Sequence, residues 1–380
     1  MRIIDRYMLW QFVQVFAICF VSLTGLYVVI DGFGNLEEFI EFAKLKQQNV
    51  LAVMGQYYGY RTLSFFEATS GVLTLISAMF TVTWIQRHNE LTALQAAGVS
   101  KGRVIRPVLL AVAIIAGLSA ANREFVIPQC REYLAYNAQD LGGGSGRKIS
   151  ARWDSETEVL LNGKAAFANK QRIEEPSFLL PRTLDIYGKQ LVAQSAYYLP
   201  PEDGKPGGYL FTQVREPPGL EHQKSLTLGG RPVILTPLDE KWLKSDECFV
   251  VSGISFEQLA AGNTWGKLSS TWELAESLRN PSLDYRADMR VAVHSRVTQP
   301  FLDITLLFLG LPLVLSRENR NMFLAIGLCV GVVMVFMLVV LVCQFLGSNY
   351  FEFVSPSLAA WLPLMIFVPW AVAVSEPLRE

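Results

Sequence analysis

YMLWQFVQVFAICFVSLTGLYVVI, Tyr7 to Ile30, is a run of 24 residues without a charge. At 1.5 Å of rise per residue, about 20 apolar residues cross the ~30 Å hydrocarbon core of a bilayer as a helix. The run is too long for the apolar core of a secretory leader, and no A-x-A pattern follows it, so a retained spanning helix is expected. Comparable runs follow. Ala68–Gln86 is uncharged, and its helix is expected to begin near Tyr57. Pro107–Asn122 extends toward Ile127. Hydropathy then falls and returns only at Val297–Ser316, broken by Asp303, and again at Asn321–Phe351 and Phe353–Ser375. Six spans in a three-plus-three arrangement result.

Lys and Arg sort the ends. Arg2 and Arg6 precede the first span, Arg87, Lys101, Arg103 and Arg106 follow the second, and Arg317 and Arg320 follow the fourth. The loop after the first span sets Lys44 and Lys46 against Asp31, Glu37, Glu38 and Glu41, and the loop after the fifth has no Lys or Arg. The basic loops share one side, which predicts cytoplasmic termini and a large domain on the opposite side.

From about Arg147 to Phe256 short apolar runs alternate with Gly, Pro and Asp, as in EVLLNGKAAFANKQ and ECFVVSGISF. That spacing predicts an antiparallel sandwich or jelly roll, with turns at Pro200–Pro201 with Gly204 and at Pro217–Pro218–Gly219. Gly142–Gly146 is expected to be a flexible link. A helix is expected at Ser270–Arg279, ended by Asn280–Pro281. The boundaries are residues 1–127 for the first three spans, with a cytoplasmic helix at about 87–100, then 128–290 for the β domain and its following helix, and 291–380 for the last three spans. By itself the β domain reads as a scaffold or docking module.

With 51% hydrophobic and 18% charged residues, the chain is poorer in charge than the quarter usual for soluble domains. A net charge of −1 provides no basic field for nucleic acid. Five cysteines without a CxxC and three histidines without ligand spacing point to no metal site or disulfide framework; Cys130–Cys248 is the one pairing worth considering. GNTWGKLS (Gly262–Ser269) echoes a phosphate-binding loop, but its spacing is GxxxGK and no hydroxyl follows Lys267. In GGGSGRK (Gly142–Lys148) glycine and lysine are not adjacent. No G-x-S-x-G nucleophile turn occurs. No cofactor is expected, and an energy source would have to be another subunit or an ion gradient.

Gln86–Pro107 is the most informative connector. Leu91, Leu94 and Ala97 form a short apolar edge, Gly98 suits a helix C-cap, and Ser100 suits the start of the next helix. The segment is either a membrane-surface connector or a coupling helix for a partner's groove. Ionisable groups near the bilayer are functional candidates. Arg61, Glu67, Arg123, Glu124, Arg290, His294 and Arg296 sit at the outer edge, either as interfacial anchors or as a ring of cations facing a phosphorylated amphiphile. Asp303, about two turns deeper than Arg296, is expected to pair with an Arg or a hydroxyl rather than relay protons. Gly327 and Gly331 form a GxxxG pair that permits close helix approach.

IIDRYMLWQF at the start, ELTALQAAGVS (Glu90–Ser100), LSSTWELAESLRNPSLDYR (Leu268–Arg286) and HSRVTQPFLDITLLFLGLPLVL (His294–Leu315) together resemble the LptF/LptG (YjgP/YjgQ) permeases of lipopolysaccharide export, LptG slightly more than LptF. The resemblance covers nearly the whole chain. It implies a periplasmic β-jelly-roll domain in a bacterial inner-membrane protein. It also implies a second permease of the same type, a dimer of LptB-type ATPase subunits, and an LptC/LptA-type bridge that receives lipopolysaccharide. Glu90, Leu91, Leu94, Ala97 and Gly98 would lie in the ATPase-coupling helix, and spans one and five would form lateral gates. LptG-type proteins carry a lysine near the outer end of the first span; here Val28 falls near that place, while Arg61 sits close to another basic position. Val28, Arg61, Arg123 and Arg296 are the lipid-binding expectation. The rival readings are a mechanotransmitting scaffold that moves no lipid, and a membrane enzyme on lipid-linked sugars using Glu67 with Glu124.

Overall fold

The computed structural model describes residues 3–135, 138, 146–147, 149–167, 170–181, 188–202, 205–283, 287–315, 322–349 and 354–375. The expected basic loop at Arg317 and Arg320, Arg2, Gly204, Lys148 and all of the Gly142–Gly146 link except Gly146 lie outside the described residues. The helices are α1 (Ile3–Gly34), α2 (Leu36–Lys46), α3 (Val50–Arg87), α4 (Glu90–Ala96), α5 (Lys101–Ala121), α6 (Ile127–Gln129), α7 (Arg131–Ala135), α8 (Phe256–Ala261), α9 (Asn263–Leu268), α10 (Thr271–Ser277), α11 (Ala287–Leu315), α12 (Met322–Asn349) and α13 (Pro356–Val374). Six stretches are long and apolar enough to cross a membrane: α1, α3, α5 continued to Gln129, α11, α12 from Gly327, and α13. The antiparallel β domain is inserted between the third and fourth of these, as the hydropathy pattern predicts.

Two compact units divide the chain: Met1–Leu36 with Leu51–Cys130 and Arg286–Glu380, and Glu37–Val50 with Arg131–Tyr285. In the first unit, Met8, Phe12, Leu75, Val82, Leu91, Val108, Leu306, Leu311, Phe336 and Phe367 belong to one core cluster. Its members come from α1, α3, α4, α5, α11, α12 and α13, so a single apolar interior joins all six spans and the short α4. Several hydroxyls inside this unit are satisfied locally. Thr74, Ser77 and Thr81 each donate a hydroxyl to a carbonyl three or four residues earlier, at 2.7–2.8 Å, as a medium without water demands.

In the second unit the strands are β1 (Arg152–Asp154), β2 (Val159–Leu161), β3 (Gly163–Phe167), β4 (Arg172–Leu179), β5 (Gln190–Leu199), β6 (Gly208–Glu216), β7 (Leu226–Leu228), β8 (Arg231–Leu235) and β9 (Glu247–Val251). They pair along the path β1-β2-β4-β5-β6-β9-β8-β7, with β3 on β4. All described pairings are antiparallel. On β9 the alternation disappears because both faces are covered: Cys248 and Val250 enter the core, whereas Phe249 meets the Trp242 ring at 5.5 Å. α10 begins where expected, at Ser270, with a capping box in which Ser270 and Glu273 exchange side-chain and backbone bonds.

Candidate functional sites on the helical bundle

The turn between α3 and α5 is built from residues that tolerate left-handed backbone. Asn89, at φ 56°, turns the chain out of α3, and Asn is among the few non-glycine residues for which this costs little. α4 follows and ends at Gly98, φ 79°. There the Val99 N–H donates to the Leu94 carbonyl at 3.0 Å and the Gly98 N–H to Gln95 at 2.9 Å, the paired bonds of a Schellman cap. Leu94 and Val99, the two residues such a cap brings together, both pack on the bundle core. Ser100 is extended and precedes α5, though its hydroxyl makes no cap bond. The helix is shorter than the expected 87–100 element because the two left-handed residues cut it at both ends.

Of the expected coupling residues, Leu91 is buried and Leu94 and Glu90 are half-buried, while Ala97 and Gly98 are exposed. Leu91 and Leu94 therefore belong to the interior of this chain. The outward face of α4 consists of Thr92, Ala93, Ala96 and Ala97. Of the expected apolar edge, Leu91 and Leu94 turn inward while Ala97 is exposed, and periodicity could not say which body that edge would serve. Ile4, Tyr7 and Met8 of α1 line a cleft with Ile85, Glu90, Ala93 and Leu94, so α4 also abuts the first span.

Arg123, just after α5, forms a clasp with Glu67 in the middle of α3, its neighbour Glu124 and the backbone of α11. Arg123, 8% exposed, places Nη1 3.4 Å from Glu67 Oε1 and Nε 3.6 Å from Glu124 Oε1. Its Nη2 donates to the Arg296 carbonyl at 2.8 Å. A turn of π-helix at Asn122–Val126 lets Asn122 turn inward as well, and its amide donates to the Leu63 carbonyl at 2.8 Å. The expectation that Arg123 offers its charge to a lipid phosphate is thus corrected: its guanidinium already joins three helices. The Glu67 and Glu124 pair of the enzyme reading is the other half of that clasp. Arg296 is half-buried on α11 and Val28 half-buried on α1. Asp303 accepts from the Gln299 amide on its own helix at 3.1 Å and lies within electrostatic reach of Arg123. Gly71 of α3 makes room for its carboxyl, since a Cβ there would lie 2.4 Å from Asp303 Oδ1.

Arg61 lies within an aromatic cluster that sequence reasoning missed. Its Cζ sits 5.0 Å from the Tyr57 ring centre, within cation–π range. Tyr57 and Tyr58 rings meet edge-on at 5.1 Å, and Tyr27 stacks on Phe65 at 5.2 Å. The Tyr58 hydroxyl donates to Asp31 Oδ2 at 2.8 Å. The available signal was a carboxylate at the end of an uncharged run, which demands a partner; nothing in spacing identified that partner as Tyr58.

Within the β domain, Val159, Leu161, Ile173, Phe178, Leu191, Tyr209 and Phe211 are fully buried. The Phe178 ring meets Tyr209 at 5.6 Å and Phe211 at 4.8 Å, both edge-on. The Tyr209 hydroxyl donates to the Ile254 carbonyl at 3.0 Å; desolvation raises its pKa well above the usual phenol value. GNTWGKLS is helix α9, without the open loop that a phosphate cradle requires. All five cysteines, Cys130 and Cys248 included, are free thiols.

Six apolar spans, a capped elbow helix between the second and third, and an antiparallel β insert between the third and fourth define a polytopic membrane protein. A family model described as lipopolysaccharide export system permease LptF/LptG matches residues 6–141 and 235–376. The chain belongs to the LptF/LptG permease family. The matched ranges carry all six apolar spans and α4, and leave most of the β strands outside. Among curated proteins, none matches the chain.

Proposed function

We propose that this chain is one permease subunit of an ABC transporter that extracts lipopolysaccharide, or a related anionic glycolipid, from the inner membrane. Hydrolysis of ATP is the task of a separate LptB-type dimer, a second LptF/LptG-type permease completes the membrane portion, and an LptC/LptA-type bridge takes the lipid onward. The β domain stands in the periplasm, opposite the basic loops. Lipid enters sideways past α1 and α12, the spans least covered by their own chain: none of the apolar window of α1 and 17% of that of α12 is buried. Arg61 and Arg296 are the cations offered to the phosphates, with Val28 beside the lipid path; Arg123 positions α3, α5 and α11.

The observation that carries this reading is α4. Its inward face is fused to the core shared by α1, α3 and α5, while its outward face is small and uncharged, a surface that fits a groove. A push on α4 is therefore a push on the bundle. The test is Ala96→Arg, which alters only the exposed face. ATP-dependent lipopolysaccharide release from proteoliposomes should fall, with ATPase co-purification weakened and the permease still folded. Normal release and normal assembly would defeat the docking claim.

One observation favours a second reading for the β domain alone. Its interior is filled by Phe178, Tyr209 and Phe211, which supports a docking module for the bridge over an acyl-chain conduit. Photocrosslinkers at Phe211 during ATP turnover separate the two: capture of lipid there would restore the conduit.

A further inference from the structure

α1 is the least buried of the spans, and the places where it is held are unusual. Among its described residues only Met8, Phe12 and Gly32 are buried. Met8 and Phe12 lie in the core cluster that contains Leu91 of α4, so the first anchor is tied to the elbow. Gly32 is the second anchor, near the far end. A Cβ at Gly32 would lie 3.0 Å from Met54 Cε and 3.5 Å from the Tyr58 hydroxyl oxygen. The missing side chain lets α1 and α3 approach there, and one residue away Tyr58 donates to Asp31 Oδ2 at 2.8 Å.

Between the anchors, α1 meets α3 mainly through aromatic rings, without burying a residue of its own. Phe20 meets Phe66 at 5.7 Å and Tyr27 stacks on Phe65 at 5.2 Å. In a bilayer such contacts are replaceable by acyl chains at little cost, because lipid tails are as apolar as the rings they displace. A hydrogen bond to a carboxylate is not replaceable in that way: an Asp left without a donor at this depth is costly. Directional contacts at the far end, Tyr58 with Asp31 and Tyr27 with Arg61, therefore discriminate a closed α1 from an open one.

We infer that the Tyr58–Asp31 hydrogen bond is a latch that holds the outer end of α1 against α3, with the α4-linked Met8–Phe12 contact as its pivot. Asp31 and Tyr58 are positioning residues: they set how often α1 swings outward and do not themselves bind the transported lipid. The inference rests on the reading of α1 as a lateral gate, and it adds which residues hold that gate shut. Motion delivered to α4 tilts α1 about Met8 and Phe12, and the far end moves only when the latch gives way.

The experiment uses the full chain assembled with its companion subunits in proteoliposomes. Spin-labelled non-canonical amino acids replace Ile30 and Leu51, both exposed, and report the separation of the outer ends of α1 and α3 without nucleotide. Tyr58→Phe keeps the ring and removes only the hydroxyl. It should raise the long-distance population roughly three- to tenfold, the weight of one hydrogen bond within a membrane. Asp31→Asn, which retains an acceptor, should give a smaller rise, and the double variant should not exceed Tyr58→Phe alone. An unchanged distance distribution in Tyr58→Phe, or strictly additive effects in the double variant, would overturn the latch. A second arm places a photocrosslinker at Val28 and adds lipopolysaccharide. A distance shift with no captured lipid would leave the latch standing and remove the lateral lipid route, so the two failures are distinguishable.

Discussion

Gly71→Ala adds one methyl group where the Asp303 carboxyl of α11 packs against α3, and its consequences follow from the geometry. The new Cβ would lie 2.4 Å from Asp303 Oδ1 and 2.9 Å from its Cγ, distances that real Cβ atoms do not adopt, so the carboxyl or the helix must move. Overpacking of this kind costs about 1–3 kcal/mol. If the carboxyl moves it also loses the Gln299 donor, worth about 1 kcal/mol. Against this, Ala gains about 1 kcal/mol over Gly in helix propensity. The balance is a net destabilisation of about 1–3 kcal/mol. Thermal unfolding of the purified permease in detergent should show it as a lowered midpoint. Gly327→Ala and Gly331→Ala are the controls: neither glycine has a neighbouring atom within 4 Å of the added Cβ, so both should be neutral or mildly stabilising. Asp303→Ala should recover part of the Gly71→Ala loss, because it removes the atoms that clash. An unchanged midpoint for Gly71→Ala, or a loss as large for Gly327→Ala, would refute the close approach of α3 and α11 at this point.

Arg123→Met removes the ion pairs to Glu67 and Glu124 and the bond to the Arg296 carbonyl. Breaking a buried pair costs about 3–5 kcal/mol, reduced here toward about 2 kcal/mol because both carboxylates keep some contact with solvent; Arg123→Lys should recover part of it, read as detergent stability. Asp154→Ala should destabilise the β domain by about 2–4 kcal/mol, since the fully buried carboxylate accepts from Ser252 at 2.6 Å and from the N–H groups of Glu156 and Thr157; limited proteolysis of the full chain would reveal this. Burial without an opposite charge raises the Cys248 thiol well above its usual pKa. Maleimide should therefore leave Cys248 unmodified at pH 8 in the folded protein and label it on denaturation; rapid labelling in the native state would contradict the packed β core.

How much was legible depended on the range of the interaction. The three-residue spacing of Leu91 and Leu94, Gly98 after them and Ser100 beyond revealed α4, its cap and the start of α5, because helix capping is decided within one turn of chain. The opening of α10 at Ser270 was legible for the same reason. Arg123 was not: an arginine at the end of an uncharged run looks the same whether it faces water or a carboxylate brought from 56 residues away. The GxxxG pair at Gly327 and Gly331 has no close neighbour within the chain, whereas added Cβ atoms at Gly32, Gly71, Gly310 and Gly347 would meet Met54, Asp303, Leu75 and Ala359.

By itself the sequence determined that this chain carries six apolar spans around a β insert, and that it belongs with the LptF/LptG permeases. Hydrocarbon forbids unpaired backbone and bare charge, so uncharged runs of sufficient length announce helices without reference to anything else in the chain. Only the tertiary structure decided which charges are mutually engaged, which face of α4 is outward, and that Asp31 near the end of α1 accepts a hydrogen bond from a tyrosine of α3. Those outcomes depend on contacts a few ångströms long between residues far apart in sequence, and no local pattern of residue types encodes which of several possible partners the packing will bring within reach.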